Sequence, residues 1–107
     1  MAQYLISFDE GTMIIPDEDL PEVAAAANRV CRDAENAGVW VVGGGLVHQG
    51  ASTVDVDGTI TALPHPPTRA VLGGLVIVDV PSREEALEWA SRFAAACRCA
   101  QDVRELF

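Results

Sequence analysis

The residue in this sequence best suited to chemistry is His65, an imidazole held between two prolines. Pro64 and Pro66 restrict the backbone on both sides, which confines the ring to one region of space. A neutral imidazole with a pKa of about 6.5 suits general acid–base catalysis. Arg69 follows four residues later and could hold the carboxylate of a small acid. The pair predicts a proton-transfer site with a substrate anchor; the alternative is a solvated loop histidine beside a surface arginine.

Two further groups are candidate partners for that imidazole. His48 lies at the end of a glycine-rich strand predicted over residues 39–47, where it could join His65 across the sheet edge or simply end the strand. Asp9 follows the first predicted strand, and a carboxylate there could orient an imidazole. The alternative for Asp9 is ordinary turn chemistry. The predicted catalytic set is therefore His65, His48 and Asp9, with Arg69 as the substrate-binding residue.

The charge balance excludes several classes of function. Sixteen acidic residues against seven basic ones give a net charge of −9 over 107 residues, and every basic residue is arginine. Nucleic-acid binding depends on cations that contact phosphates, and anionic membrane surfaces repel an acidic protein, so we expect neither partner. The absence of lysine also excludes Schiff-base chemistry and a Walker-type phosphate loop.

The cysteines, histidines and glycines predict no metal and no cofactor. Cys31, Cys97 and Cys99 form no recognisable disulfide or zinc spacing, and they are expected to be reduced thiols that behave as small buried hydrophobes. The glycine runs at residues 43–45 and 73–74 are not followed by a helix, unlike a dinucleotide fingerprint. No apolar run approaches a membrane span, and the first ten residues do not resemble a signal peptide, so the expected location is the cytoplasm.

Hydrophobic periodicity predicts a single mixed domain over residues 1–107. Asp19 with Glu22, and Ser82 with Glu85, have the spacing of capping boxes at the starts of two helices, and Gly38 is placed to end the first. Strands are predicted over 3–8, 39–47, 52–57, 59–63, 71–80 and 102–107, with a hairpin turn at Asp57-Gly58. The order is β-α-β, a hairpin, then β-α-β, which predicts an α+β ferredoxin-like sandwich.

The strand at residues 71–80 predicts how the protein assembles. Its residues are apolar on both faces, as are those of 39–42, whereas two helices can cover only one face of the sheet. An uncovered apolar face is an aggregation hazard. We therefore expect a homodimer in which two sheets pack face to face.

The chain resembles the YCII-related proteins, and within them the branch known as DGPF domains. The resemblance runs essentially from end to end and implies a dimeric α/β barrel of ferredoxin-like subunits. It depends on the opening strand, Ala37-Gly38-Val39 leading into Gly45-Leu46, the hairpin, Leu72-Gly73-Gly74, and Arg83-Glu84-Glu85-Ala86-Leu87-Glu88-Trp89-Ala90.

Two departures from the family pattern bear on function. The branch signature Asp-Gly-Pro-Phe falls on Ala62-Leu63-Pro64-His65, where only the proline is kept. Some members of the wider family resemble small lyases or dehalogenating enzymes with a His–Asp pair whose histidine lies on the first helix; here that stretch is Ala24 to Ala27. The sequence predicts a small-molecule-binding homodimer with lyase- or isomerase-like acid–base activity, or alternatively a non-catalytic binding, interaction or regulatory module.

Overall fold

The computed structural model describes residues 1–47, 51–62 and 71–107. Four described strands form one antiparallel sheet in the order Trp40–Gly45, Leu72–Val80, Ala2–Asp9 and Asp102–Glu105, which is the strand order of a ferredoxin-like fold and confirms the predicted fold class. Within the described residues, two further strands pair with each other as a separate hairpin. The elements are β1 (Ala2–Asp9), α1 (Leu20–Asn36), β2 (Trp40–Gly45), β3 (Ser52–Val54), β4 (Ile60–Ala62), β5 (Leu72–Val80), α2 (Arg83–Cys97) and β6 (Asp102–Glu105), with 3-10 turns at Glu10–Thr12 and Asp17–Asp19.

The core lies between the two helices and one face of the sheet. In the central pair of strands, Tyr4 lies opposite Val78 and Ile6 opposite Val76, and all four side chains are buried. The helices contribute small and aromatic side chains to the same cluster: Val30, Ala34, Ala86, Ala90 and Phe93. Within the described residues no helix is long and apolar enough to cross a bilayer.

The opposite face of the sheet carries a row of side chains that crosses all four strands. Val42 pairs with Ile77, Ile77 with Leu5, and Leu5 with Arg104. Leu5 and Ile77 are half-buried, whereas Val42 is 53% exposed. We call Val42, Ile77, Leu5 and Arg104 the outer row. The sheet thus has apolar residues on both faces, as the sequence predicts, and the helices cover one of them.

The ends of the helices follow the sequence with one exception. The Ser82 hydroxyl accepts a hydrogen bond from the Glu85 amide at 3.3 Å, which confirms that cap, and Gly38 follows α1 with a positive φ of 76°. The predicted capping box at Asp19 is wrong, because the Asp19 side chain makes no cap hydrogen bond. Its carboxylate instead accepts a hydrogen bond from Arg98 at 2.9 Å, across the two helices.

Candidate functional site

A cavity of about 330 Å³ opens between α1, the end of α2 and the sheet. Small side chains on α1 create this space, because Ala24, Ala27 and Cys31 face it where larger residues would fill it. Larger side chains form the rest of its wall, among them Phe8, Leu20 and Phe93. Ala24 and Asn28 are exposed to solvent, so the cavity opens along the α1 side. Its volume is at the small end of the roughly 300–1,000 Å³ that ligand pockets span.

The described lining of the cavity is uncharged. It contains no aspartate, glutamate, arginine or histidine, and its polar side chains are two carboxamides, Asn28 and Gln101, and two thiols, Cys31 and Cys97. Gln101 donates from Nε2 to the Cys99 carbonyl at 3.4 Å, and its nitrogen also lies 3.5 Å from the Cys99 sulfur. An uncharged, largely apolar surface favours a neutral ligand, because an ion would lose its hydration without gaining a counter-charge there.

The position of Phe8 in this wall depends on two glycines of β5. A Cβ atom at Gly73 would lie 2.5 Å from the Phe8 ring, and one at Gly74 would lie 2.7 Å from it. The ring therefore lies directly against the glycine backbone. The pairing of β1 with β5 shifts register between Phe8 and Asp9, so this contact lies at a β-bulge. Only residues without side chains allow so close an approach.

The three thiols are half-buried and unpaired. Burial raises the pKa of Cys97, and the neighbouring Cys99 and Cys31 raise it further. Burial also raises the pKa of Cys31, with Glu35 adding to the effect, and burial raises the pKa of Cys99. These thiols are protonated at neutral pH and are poor nucleophiles, because the thiolate is the reactive form. Among the described residues no group of three or more His, Cys, Asp or Glu is arranged to hold a metal ion.

The predicted site residues are placed as follows. Asp9 ends β1, next to Phe8, and its backbone carbonyl accepts a hydrogen bond from the Thr12 hydroxyl at 2.7 Å. Asp9 is not among the residues that line the cavity. His48, His65 and Arg69 lie outside the described residues. The catalytic constellation therefore stays a prediction.

The cavity itself is the feature that the sequence analysis missed. Alanines at three- and four-residue spacing are typical of an ordinary apolar helix stripe, and Cys31 and Cys97 are typical of small buried hydrophobes, so neither signals a pocket. The sequence signal that could have indicated a pocket is the number of alanines on one face of α1, together with the glycines at the end of β2. The same helix stretch, 24–27, is where the family resemblance places a histidine; here it presents two methyl groups to the cavity.

The fold is a ferredoxin-like α+β sandwich with a pocket under its first helix, and comparison with known proteins places it more closely. The chain belongs to the YCII-related domain family, whose model matches residues 4–105. That match identifies the family as a whole, and membership of the DGPF branch stays a prediction. The comparison with curated protein sequences found no match.

A solved structure shares the fold. It is the 5-chloro-2-hydroxyhydroquinone dehydrochlorinase of Burkholderia phenoliruptrix AC1100, in complex with 2,5-dihydroxybenzoquinone. The two chains are 19% identical, and the match covers 98% of this chain and 93% of the dehydrochlorinase, with a TM-score of 0.55. At this identity the likeness shows a common fold.

Replacing Gly74 with alanine tests the contact between the glycines and Phe8. The new Cβ collides with the Phe8 ring, so we expect the free energy of unfolding to fall by about 1–3 kcal/mol, as overpacking typically causes. Gly45, which pairs with Gly74 across β2 and β5, is the matched control because a Cβ there meets nothing within 4 Å. Urea denaturation measures the free energy of unfolding of both variants. Equal stability of Gly74→Ala and Gly45→Ala would contradict the proposed packing.

The raised thiol pKa values predict the pH dependence of cysteine alkylation. The thiol pKa values are higher in the folded chain than the ordinary value of 9.0, so the protonated thiols contribute to the free energy of unfolding below pH 9.0. This contribution to stability is lost as the pH rises through the thiol pKa values of the folded chain. We expect iodoacetamide to react with Cys31 and Cys97 more slowly in the folded than in the urea-unfolded chain. The midpoint of the alkylation rate against pH should lie at a higher pH in the folded chain. Peptide mass spectrometry against pH measures this. If the alkylation midpoints of the folded and the unfolded chain coincide, the raised thiol pKa values are wrong.

Proposed function

We propose that this protein binds a small, uncharged, mainly apolar organic molecule in the cavity under α1. The observation that carries the proposal is the combination of a 330 Å³ open cavity and a described lining without a single charged side chain. Pockets of this kind take most of their binding energy from apolar contact and use a few polar groups to orient the ligand. The size suits a molecule of one or two rings.

Two carboxamides are placed to orient such a ligand. Asn28 is exposed at the open side of the cavity, whereas Gln101 is half-buried. The amide nitrogen of Gln101 is engaged with Cys99, which leaves its carbonyl oxygen to accept a hydrogen bond from a bound hydroxyl group. A ligand with an apolar body and a hydroxyl group therefore matches the cavity better than a carboxylate does. The anionic ligand expected from Arg69 finds no counter-charge in the described lining.

The related fold supports a ligand of this size. The dehydrochlorinase of the same fold was solved with 2,5-dihydroxybenzoquinone, a single ring that carries oxygen substituents. At 19% identity this does not transfer a substrate, but it is consistent with a ring-shaped ligand in this chain. The proposal for this protein rests on its own cavity.

Filling the cavity tests the proposal with 2-naphthol as a neutral probe. Ala27 lines the cavity on α1, so Ala27→Phe places a ring in the binding volume, and we expect the affinity for 2-naphthol to fall at least about tenfold. Ala25 lies on the same helix, is exposed and does not line the cavity, so Ala25→Phe is the matched control. Isothermal titration measures both variants, with 2-naphthoate as the charged comparison.

Three results would count against the proposal. One is no binding of 2-naphthol to the unmodified protein at millimolar concentration. Another is equal loss of affinity in Ala25→Phe and Ala27→Phe, which would place the probe elsewhere. The third is tighter binding of 2-naphthoate than of 2-naphthol, which would show that a positive charge dominates the site.

We also propose that the protein is a homodimer in which the outer sheet faces pack together. The outer row supports this, because three apolar side chains cross the sheet on the face that the helices leave uncovered. Burial of such a surface contributes roughly 25 cal/mol per Å². The YCII-related resemblance, which implies a dimeric α/β barrel, agrees with this arrangement.

Acid–base catalysis of a lyase or isomerase type is the second candidate function. The described cavity lining offers no group that titrates near neutral pH, since its thiols are held protonated. Catalysis therefore requires His65 as the acid–base group, with His48 or Asp9 assisting it and Arg69 holding the substrate. The dehydrochlorinase of the same fold supports keeping this candidate, because its name describes an elimination. If these residues do not form a catalytic site, the protein is a non-catalytic binding module.

Replacement of His65 distinguishes the two candidates. If the protein is a lyase, His65→Ala abolishes turnover while 2-naphthol still binds, since none of the described lining residues is altered. Chloride release from 5-chloro-2-hydroxyhydroquinone is the activity to assay first, with His65→Gln to retain the size and polarity of the side chain. The absence of chloride release from the unmodified protein, together with intact 2-naphthol binding, would favour the binding module.

A further inference from the structure

The hairpin formed by residues 52–62, here called the arm, has an apolar face that the rest of the described chain leaves uncovered. Val54 lies opposite Ile60, so both point to the same face, and they are 65% and 69% exposed. Val56, at the turn, is fully exposed. The neighbouring pair, Thr53 and Thr61, occupies the other face. The arm is therefore amphipathic, with its apolar side open to water.

The shape of the arm is set by its own turn. The Gly58 amide donates to the Asp55 carbonyl at 2.9 Å, and the Asp55 amide donates to the Thr59 carbonyl at 2.8 Å. The Asp57 carboxylate accepts a hydrogen bond from the Thr59 amide at 2.9 Å, which lowers the pKa of Asp57. An isolated two-stranded hairpin is nevertheless only marginally stable in water, even with a good turn. Its apolar face needs a surface to pack against.

The overall dimensions agree with an arm that stands away from the core. The radius of gyration is 15.1 Å, whereas a compact domain of this length has about 13 Å. The molecule measures 42 × 39 × 19 Å and is flat. Within the described residues, the two strands of the arm pair with each other and do not extend the main sheet.

We propose that the arm packs its apolar face, Val54 and Ile60, onto the outer sheet face of a second copy of this chain. This inference rests on the proposed homodimer and adds the arm to its interface. The arm and the outer row are both exposed apolar surfaces of the described chain, and the exposure of Val54, Ile60 and Val42 shows that they do not cover each other within one copy. A two-fold dimer covers both surfaces in both copies at once, since a symmetric interface repeats every contact.

The charges at the two surfaces favour a second copy over an unrelated acidic partner. Asp55 and Asp57 give the arm an acidic turn, and Arg104 ends the outer row. Arg104 forms no ion pair within the described part of the chain. The remainder of each outer row is uncharged, whereas the neighbouring rows on the same face carry Asp79 and Asp102. Two chains of net charge −9 therefore meet least repulsion where apolar side chains and Arg104, and not these carboxylates, face the partner.

Two neighbouring substitutions in β4 test the arm. Ile60→Glu and Thr61→Glu add the same charge one residue apart but on opposite faces, and both positions are exposed in a single copy, so both variants should fold. We expect Ile60→Glu to raise the dimer dissociation constant at least about tenfold, because it buries a charge in an apolar contact, and Thr61→Glu to change it less than about threefold. Sedimentation equilibrium gives the constants and circular dichroism checks the fold.

The unmodified protein and a third variant separate the possible failures. If the unmodified chain has a mass of 11.3 kDa at all accessible concentrations, the homodimer itself is wrong, and the arm inference falls with it. Val42→Glu alters the outer row and should also weaken the dimer. If Val42→Glu weakens a genuine dimer while Ile60→Glu leaves it unchanged, the sheet face is the interface and the proposed role of the arm is overturned. Equal weakening by Ile60→Glu and Thr61→Glu would also overturn it.

Discussion

The pairing of β1 with β5 is the interaction on which the rest of this structure depends. On one side of that pair, Ile6 and Val76 lie under the helices and form the centre of the core. On the other side, Leu5 and Ile77 form the middle of the outer row. The end of the same pair carries the bulge at which the Phe8 ring rests on the glycine backbone. Core, cavity wall and exposed sheet face are thus fixed by one register.

The cavity is too large to be sealed and empty at a low energetic cost. Protein interiors are packed as densely as organic crystals, and an enclosed void costs about 24 cal/mol per Å³. At that rate a sealed, empty space of 330 Å³ would cost about 8 kcal/mol, which is comparable to the whole stability of a small domain. The exposed Ala24 and Asn28 show how this cost is avoided, since the space is open to solvent along α1. An open apolar space that water fills poorly is the physical condition for binding an apolar ligand.

Local features of the fold could be predicted from the sequence because their causes are local. Ser82 caps a helix from three residues away, Gly38 supplies a positive φ, and Asp57-Gly58 turns a chain between two strands. Asp19 shows the limit of such reasoning. Its spacing to Glu22 predicts a cap, but Arg98, 79 residues later, offers a charged partner and takes the carboxylate. Competition between a local and a distant partner is decided by the fold.

The candidate site shows the same division between local and distant causes. A cavity forms where several elements meet and their side chains leave space between them. It therefore cannot be predicted from any single segment of the sequence. Ala27, Phe8 and Gln101 come from three different elements, and only their meeting makes a pocket. His65 and Arg69 could be proposed from sequence because their proximity along the chain is itself the signal. The sequence analysis placed the site at His65, and it did not predict a pocket beside the alanines of α1.

The cavity and the outer row lie on opposite sides of the sheet, and this separation matters for function. The cavity opens on the helix side, where Phe8 and Ile6 belong to the covered face of β1. The outer row occupies the opposite face, where Leu5 alternates with them. Association through the outer face therefore leaves the mouth of the cavity along α1 accessible. A dimer built in this way can hold one ligand in each copy, because the residues of β1 that support the cavity and those that form the outer row alternate along the strand.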